Sequence, residues 1–235
     1  MCSTRTSSLL RVLTLDGKIS LCKIMNTNFD KELEKIKSEI DVNKPPRLLL
    51  HVCCAPCATY CLTRLITHFD VTLYYSNDNI TDSAEWQKRL DEVKKLVEIV
   101  NGGTFETVAI RPLKLVVKDQ DATQFFAAAK GLEREKEGGA RCNECFVLRL
   151  SDAKQYAQTH DFHYFGTTLT VSPYKNSQLL NTIGLSLQTD AVKWLPSDFK
   201  KQGGYNESIR LSEQYKLYRQ HYCGCCYSLA EANKQ

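Results

Sequence analysis

The middle of the chain alternates short apolar runs of strand length with longer amphipathic segments of helical period. The runs at 48–52 and 70–75 are rich in leucine and in β-branched or aromatic residues, which favour strands. An amphipathic segment at 58–68 separates them, and a long helix follows with one apolar face: Trp86, Leu90, Val93, Val97 and Val100. A third strand is predicted at 105–110. The β-α-β-α-β order predicts an α/β fold with a doubly wound parallel sheet.

The second half of the chain predicts a helix-rich section. A helix from about 141 to 159, a strand at 162–166 and helices at 177–187 and 207–221 follow in order. We expect residues 1–45 to be an N-terminal extension, partly disordered or helical. We expect residues 46–235 to form a single domain with a helical C-terminal section.

Composition narrows the environment in which the protein works. The chain has 235 residues, a net charge of +4 and 11 cysteines. No apolar run approaches the ~20 residues needed to span a bilayer, and residues 1–24 show no secretory signal, so no membrane partner is expected. Disulfide scaffolds of similar cysteine content are usually short and loop-rich. We therefore expect metal-binding or catalytic thiols in a reducing cytoplasm.

Three cysteines occupy the turn between the first strand and the following helix: Cys53, Cys54 and Cys57. In parallel α/β sheets, ligands bind at the carboxyl ends of the strands. A helix N-terminus favours the thiolate, which is the form of cysteine that binds metal. The pattern predicts a metal or redox site, with small core cysteines as the alternative. We interpret Cys61, which follows Cys57 by one helical turn, as a core residue.

A second pair, Cys142 and Cys145, opens the helix predicted at about 141–159. One C-x-x-C motif fits half of a zinc site, a redox dithiol or part of an iron–sulfur site. With Cys53 and Cys54 the pair supplies four thiolates, a number that suits tetrahedral zinc and a [4Fe–4S] cluster equally. The position at the ligand-binding edge of a sheet favours the cluster, since a structural zinc usually staples a loop.

A third group, Cys223-Gly-Cys225, lies near the C-terminus. A disulfide between these two cysteines would close a small strained ring, and strained disulfides are the labile or catalytic ones. The spacing predicts a redox-active pair, with further metal ligands or inert thiols as the alternative.

Two other features remain open on sequence alone. His51 lies inside an apolar strand, and we interpret it as a hydrogen-bonded core histidine in preference to a metal ligand. Basic and aromatic residues between 193 and 219 could contact phosphates and stack a base. Acidic residues are interleaved with them, so an ordinary solvated surface fits this stretch equally well.

Five segments, in order, resemble the QueH-type epoxyqueuosine reductases: His51-Val-Cys-Cys-Ala-Pro-Cys57, Arg141-Cys-Asn-Glu-Cys145, residues 167–175, residues 198–204 and Tyr222-Cys-Gly-Cys225. The resemblance covers about residues 46–229. It implies a Rossmann-like, nucleotide alpha-hydrolase-like domain, similar to the ATP-binding domains of tRNA-thiolating enzymes. It also implies reduction of epoxyqueuosine to queuosine at the wobble position of tRNA, the last step of queuosine biosynthesis.

The resemblance further implies the roles of the cysteines. Cys53, Cys54, Cys142 and Cys145 are expected to hold a [4Fe–4S] cluster, and Cys223 and Cys225 to form a redox-active disulfide. Some relatives are thought to hold an additional mononuclear iron, for which Cys57 is the candidate ligand here. The implied partners are tRNA carrying epoxyqueuosine and an unidentified electron donor.

Two other functions are alternatives to this interpretation. An ATP-dependent tRNA sulfur-insertion enzyme would carry a glycine-rich phosphate loop where Cys53 and Cys54 stand. A non-enzymatic zinc-binding adaptor would be colourless and contain stoichiometric zinc. The chain also departs from the family at one loop, where Asn77-Asp-Asn79 replaces the common Asn-Pro-Asn.

Overall fold

Five parallel strands form a single sheet at the centre of the computed structural model, which describes residues 27–234. They are β1 (Arg47–His51), β2 (Asp70–Tyr75), β3 (Lys114–Val117), β4 (Tyr164–Thr167) and β5 (Lys193–Trp194). The sheet order is β3-β2-β1-β4-β5, and every neighbouring pair is parallel. β1 is therefore the central strand.

Eight α-helices accompany the sheet within residues 27–234. They are α1 (Phe29–Ser38), α2 (Ala55–Leu65), α3 (Ser83–Asn101), α4 (Thr123–Ala129), α5 (Ala140–Thr159), α6 (Ser177–Leu187), α7 (Gly204–Gln214) and α8 (Cys226–Ala232). Short 3₁₀ turns lie at Thr168–Val171 and Lys201–Gly203. Several helices have a side-chain N-cap. Asn28 caps α1, Asp82 caps α3 and Asn176 caps α6, and each side chain accepts a hydrogen bond from a backbone N–H group of the first turn.

The sheet is covered on both faces, as a parallel sheet requires. Successive side chains of β1 point to opposite faces, so Leu48 and Leu50 enter one core while Leu49 enters the other. Leu62 of α2 belongs to the first core, and Leu150 of α5 belongs to the second. This arrangement confirms the predicted α/β class with a doubly wound parallel sheet.

The direction of winding reverses at β1. The chain adds β2 and β3 on one side of β1 and then returns to add β4 and β5 on the other. Ligands of open α/β sheets bind in the crevice outside the carboxyl ends of the strands at such a switch point. The turn that carries Cys53 follows β1, and the 3₁₀ turn Thr168–Val171 follows β4. Both therefore border this crevice.

The third strand is not where the sequence pattern placed it. The prediction of a strand at 105–110 is wrong, because the strand is Lys114–Val117, which pairs with Thr72–Tyr75. Phe105 instead packs on the ring of Tyr215 with centroids 5.3 Å apart, while Val108 is 82% exposed. The segment thus connects α3 to β3 along the surface.

The helix predicted at 207–221 is also shorter and earlier than expected. It begins at Gly204 and ends at Gln214. Lys216 has a φ of 49°, a left-handed conformation that a right-handed helix cannot continue through. The chain therefore reaches Cys223 as an irregular segment.

Helix α1 packs against the same core as the sheet. Leu33 is fully buried, and Arg64 of α2 forms an ion pair with Asp30 at 3.0 Å. Residues 1–26 of the N-terminal extension expected at 1–45 lie outside the described residues. Among residues 27–234, no helix is long and apolar enough to cross a membrane.

A first prediction concerns the contact between α6 and β5. A Cβ atom at Gly184 would lie 2.1 Å from the ring of Trp194, which is buried and bonded through Nε1 to Asn181. Gly184→Ala should therefore lower the free energy of unfolding by about 1–3 kcal/mol through overpacking. Urea denaturation measures the change. Ser186→Ala on the same helix is the control, and an equal loss in both variants would contradict the explanation.

Candidate metal and redox site

The turn after β1 gathers three thiols. Cys54 is the N-cap of α2 with an extended backbone, and Pro56 stands in the first turn of that helix. The irregular turn lets adjacent cysteines face one point, so the sulfur atoms of Cys53 and Cys54 lie 3.6 Å apart. The Sγ atoms of Cys53, Cys54 and Cys57 all lie within 4.8 Å of one another. This group could bind a metal ion.

The pKa values of the three thiols are shifted in different directions. Hydrogen bonds from the Cys54 and Cys57 thiols hold the pKa of Cys53 well below its usual range. Burial raises the pKa of Cys54 to about 12, and hydrogen bonds to Cys53 and Cys54 raise the pKa of Cys57. Cys53 is therefore the first thiolate of the group and the natural first ligand for a metal.

Cys142 and Cys145 lie in the first turns of α5, as expected from the sequence. The backbone N–H of Gly138 donates to the sulfur of Cys142 at 3.2 Å. Cys145 is buried with Phe125, and burial raises its pKa to about 12. The close group of three thiols in the turn does not include this pair. The structure does place the pair in one small cavity, of about 20 Å³, with Cys223 and Cys225.

Cys223 and Cys225 are both free thiols. Cys225 is buried and forms the N-cap of α8, where its sulfur accepts a bond from the N–H of Ser228 at 3.4 Å. Cys223 is less buried and lines a second, larger cavity as well. The two cysteines therefore differ in access, with Cys223 the one that faces solvent and ligand.

A buried cation joins the two halves of the site. Arg149 of α5 is 2% exposed, and none of its contacts within residues 27–234 is an ion pair with a carboxylate. Its Nη2 donates to Asn77 Oδ1 at 2.6 Å, and Nε donates to His51 Nε2 at 3.3 Å. Burial opposes its charge, yet Cys145 and Cys53 raise the pKa of Arg149. Cys53, the thiol of this group whose pKa is lowered, thus supplies negative charge close to the guanidinium.

His51 is a core histidine, as interpreted from the sequence. It is fully buried, with Nδ1 2.9 Å from the Thr167 hydroxyl, and burial together with Arg149 lowers its pKa to about 3. It is therefore neutral and supports Arg149. Cys61 is also a core residue, and its thiol donates to the Cys57 carbonyl oxygen.

The loop after β2, where the chain departs from the family pattern, contacts the site from the side. Asn77 bonds the carbonyl oxygen of Val52 at 2.9 Å and so fixes the turn that leads into the thiols. Asn79 is 2% exposed and lines the small cysteine cavity, but its Oδ1 has no hydrogen-bond partner among the described residues. A buried polar atom aimed at a thiol-lined cavity is a site where a bound group would be satisfied.

A cavity of about 690 Å³ opens beside the thiols and reaches the surface. Cys53 and Cys57 line it on one side and Cys223 on another. The rest of its wall includes basic and aromatic side chains: Arg89, Arg149, Tyr174, Lys175, Tyr205, Arg219, His221 and Tyr222. Burial opposes the charge of Lys175, but Cys223 and Cys53 raise its pKa. The cavity is large enough for a nucleoside, and its wall carries more basic side chains than acidic ones, which are Glu137 and Glu231.

Several of these residues escaped the sequence analysis, although two left a signal. Arg149 follows Cys145 by four residues and so shares its helical face. Arg89 interrupts the apolar face formed by Trp86, Leu90 and Val93 in α3. A charged residue at such a position is buried with a partner more often than not, and here it is 1% exposed.

Fold and site together define an α/β protein with a Rossmann-like sheet and a thiol centre at its switch point. A family model described as "Epoxyqueuosine reductase QueH" matches residues 48–231. The chain belongs to this family.

Individual relatives are similar in sequence to this chain over most of their length. The chain is 40% identical over 214 residues to a protein of Staphylococcus epidermidis, covering 88% of each chain. It is 39% identical to a Streptococcus pyogenes protein and 33% identical to a Thermotoga maritima protein, covering 78% and 93% of those chains. All three carry the name epoxyqueuosine reductase QueH.

Arg149 generates a prediction for metal binding. Arg149→Gln removes the positive charge that Cys53 and Cys145 face, so retained metal should fall by about tenfold, as it does when supporting residues of metal sites are lost. Metal content after anaerobic purification measures this. Arg47→Gln, at the opposite end of β1, is the control and should retain metal. Equal metal in both variants, with folding verified by circular dichroism, would refute the charge argument.

Proposed function

We propose that this protein reduces epoxyqueuosine to queuosine at the wobble position of tRNA, the last step of queuosine biosynthesis. It is an oxidoreductase of the family whose relatives are named for this activity. The observation that carries the proposal is the group of Cys53, Cys54 and Cys57, of which Cys53 and Cys57 line a cavity that Cys223 also lines. Thiols proposed as metal ligands and a thiol proposed to form a disulfide thereby line the same cavity, which is large enough for the substrate nucleoside.

Cys53, Cys54, Cys142 and Cys145 are the proposed ligands of a [4Fe–4S] cluster. An all-thiolate set suits soft metals and iron–sulfur clusters. Arg149 faces both Cys53 and Cys145, which supports one shared centre between the two pairs. These four thiols would hold the cluster, which would supply one-electron transfer when bound. The unpartnered Asn79 Oδ1 fits a cavity that a bound group completes.

Cys57 is the proposed ligand of an additional mononuclear iron. Its sulfur lies within 4.8 Å of both Cys53 and Cys54, and the residue lines the large cavity. It is therefore placed between the proposed cluster ligands and the space for substrate. A metal there would act as a Lewis acid toward the epoxide oxygen.

The electron count defines what the thiols must supply. Conversion of an epoxide to an alkene takes up two electrons and two protons and releases water. Oxidation of Cys223 and Cys225 to a disulfide releases two electrons and two protons, which balances the reaction. A bound cluster passes electrons singly. An external donor, not identified by the sequence or the fold, would then reduce the disulfide for the next turnover.

The cavity wall supports tRNA as the substrate. Arg219 and Lys175 line the cavity, and each lacks a carboxylate within 4.0 Å among residues 27–234, so their charges are available to phosphate. The guanidinium of Arg219 lies 5.3 Å from the centroid of the Tyr205 ring, and Tyr174 is 75% exposed. Exposed aromatic rings beside basic groups suit an unstacked nucleotide.

The same evidence weighs against the two other functions. A sulfur-insertion enzyme needs a phosphate loop after β1, and Cys53 and Cys54 occupy that turn. A zinc adaptor needs no substrate-sized cavity beside its thiols.

We further propose a cytoplasmic location, because all nine described cysteines are free thiols, which suits a reducing compartment. Residues 46–235 are proposed to act as one catalytic domain, with residues 1–45 as an extension.

Cysteine substitutions test the proposed cofactor. Cys53→Ser and Cys142→Ser should each abolish the visible absorbance and the acid-labile sulfide of anaerobically purified protein, because each removes a cluster ligand. Cys57→Ser should keep the sulfide and lose only the additional iron. Cys226→Ser, at an exposed cysteine, is the matched control. Loss in the Cys53 variant but not in the Cys142 variant would contradict a shared centre, and a colourless zinc protein would support the adaptor.

A further substitution tests the redox pair. Cys223→Ser should lower multiple-turnover reduction of epoxyqueuosine in tRNA by about tenfold or more while cluster absorbance stays intact. The reason is that a serine hydroxyl cannot form the disulfide. The assay is anaerobic, with the modified nucleoside measured by mass spectrometry and Cys226→Ser as the control. Full multiple turnover with an intact cluster would rule out the redox role.

A further inference from the structure

Arg89 contacts the backbone of the segment that carries the redox pair, Cys223 and Cys225. Its Nη1 donates to the carbonyl oxygen of Cys223 at 2.9 Å, and its Nη2 donates to that of Tyr222 at 3.2 Å. The guanidinium carbon also lies 5.2 Å from the centroid of the Tyr222 ring. One side chain of α3 thus holds two successive peptide groups that lie 133 and 134 residues away in sequence.

A carboxylate holds Arg89 in this orientation. Glu85, one helical turn earlier, accepts a hydrogen bond from Nε of Arg89 at 2.7 Å. The same carboxylate accepts a bond from the hydroxyl of Tyr218, at 3.2 Å from Oε2. Because Glu85 neutralises the buried charge and occupies Nε, the two terminal nitrogens of Arg89 remain directed at the carbonyl groups.

Gly224 completes the arrangement. Its φ is +119°, and a Cβ atom there would lie 2.9 Å from Ile80 and 3.1 Å from Nη1 of Arg89. Its carbonyl oxygen accepts a bond from the N–H of Thr81 at 3.3 Å. Three successive carbonyl groups, from Tyr222 to Gly224, are therefore held by α3 and the loop before it.

We propose that Arg89 is the positioning residue of the redox pair and that it stabilises the dithiol form. This role rests on the proposed redox function of Cys223 and Cys225, whereas the contacts of Arg89 do not depend on it. In the structure both thiols are free, with Cys225 bonded to Ser228 and Cys223 facing the large cavity. Closing a disulfide across one residue must turn the peptide groups on either side of Gly224. The bonds from Arg89 resist that turn.

The consequence for the redox chemistry has a definite direction. Disulfide formation joins the two sulfur atoms and releases two protons and two electrons, which glutathione disulfide can accept by becoming two glutathione thiols. Bonds present only in the dithiol form disfavour this oxidation. Loss of Arg89 should therefore shift the equilibrium toward the disulfide by about tenfold, or about 30 mV for a two-electron couple.

The experiment measures that equilibrium in the holoprotein. Cys226→Ser serves as the parent, so that the tryptic peptide following Arg219 carries only the two thiols of the pair. Parent, Arg89→Gln and Arg89→Lys are equilibrated anaerobically in glutathione buffers, quenched by alkylation and analysed by mass spectrometry. Glu92→Gln is the matched control, because Glu92 also lies on α3 and accepts a bond from the N–H of Tyr218 at 2.8 Å without touching 222–224.

The expected result is a shift of about tenfold in both Arg89 variants, with Glu92→Gln within about twofold of the parent. An Arg89 shift within twofold, or an equal shift in Glu92→Gln, would overturn the positioning role. If Arg89→Gln does not fold, Arg89→Lys decides, since lysine lacks the planar guanidinium fork that matches two successive carbonyl groups. The measurement involves no tRNA, so its failure is separate from failure of the turnover test on Cys223→Ser.

Discussion

The site depends on the buried positive charge of Arg149, which forms no ion pair with a carboxylate among residues 27–234 and faces cysteine sulfur. Moving a guanidinium out of water is costly unless an anion lies nearby, and removal of the anion leaves an uncompensated charge. Arg149 lies between Cys53 and Cys145, bonded to Asn77 and to a neutral His51. The thiol of Cys53, whose pKa is lowered, supplies negative charge close to this guanidinium. The protein interior is therefore built for an anionic thiol centre.

Three distant parts of the chain meet around this charge because of the sheet topology. Cys53 follows the central strand, Cys145 opens a helix on one face, and Cys223 arrives on an irregular segment from the other. The first two are fixed by rigid elements of the sheet. The third has no helix or strand of its own, and Arg89 together with the close fit of Gly224 replaces that support. The position of Cys223 thus depends on long-range contacts and not on a helix or strand that contains it.

Much of the fold could be predicted from local patterns, and the errors have local causes. The central strand, α3, α5 and α6 follow strong apolar periodicity or caps. The third strand was misplaced because the apolar stretch at 105–110 and Leu115–Val117 look alike, and only pairing with β2 distinguishes them. The end of α7 at Gln214 depends on a left-handed Lys216, which no strong sequence signal marks.

In the candidate site too, some residues could be placed from the neighbouring sequence, and others are placed only by contacts between distant parts of the chain. The proximity of Cys57 to Cys53 follows from one strand–turn–helix unit and is readable from spacing. The contacts of Arg149 with His51 and of Arg89 with Cys223 span 98 and 134 residues. Such contacts arise only after the sheet has brought its strand ends together. A motif can therefore name the thiols, but the residues that balance their charge and hold their backbone are defined by the fold.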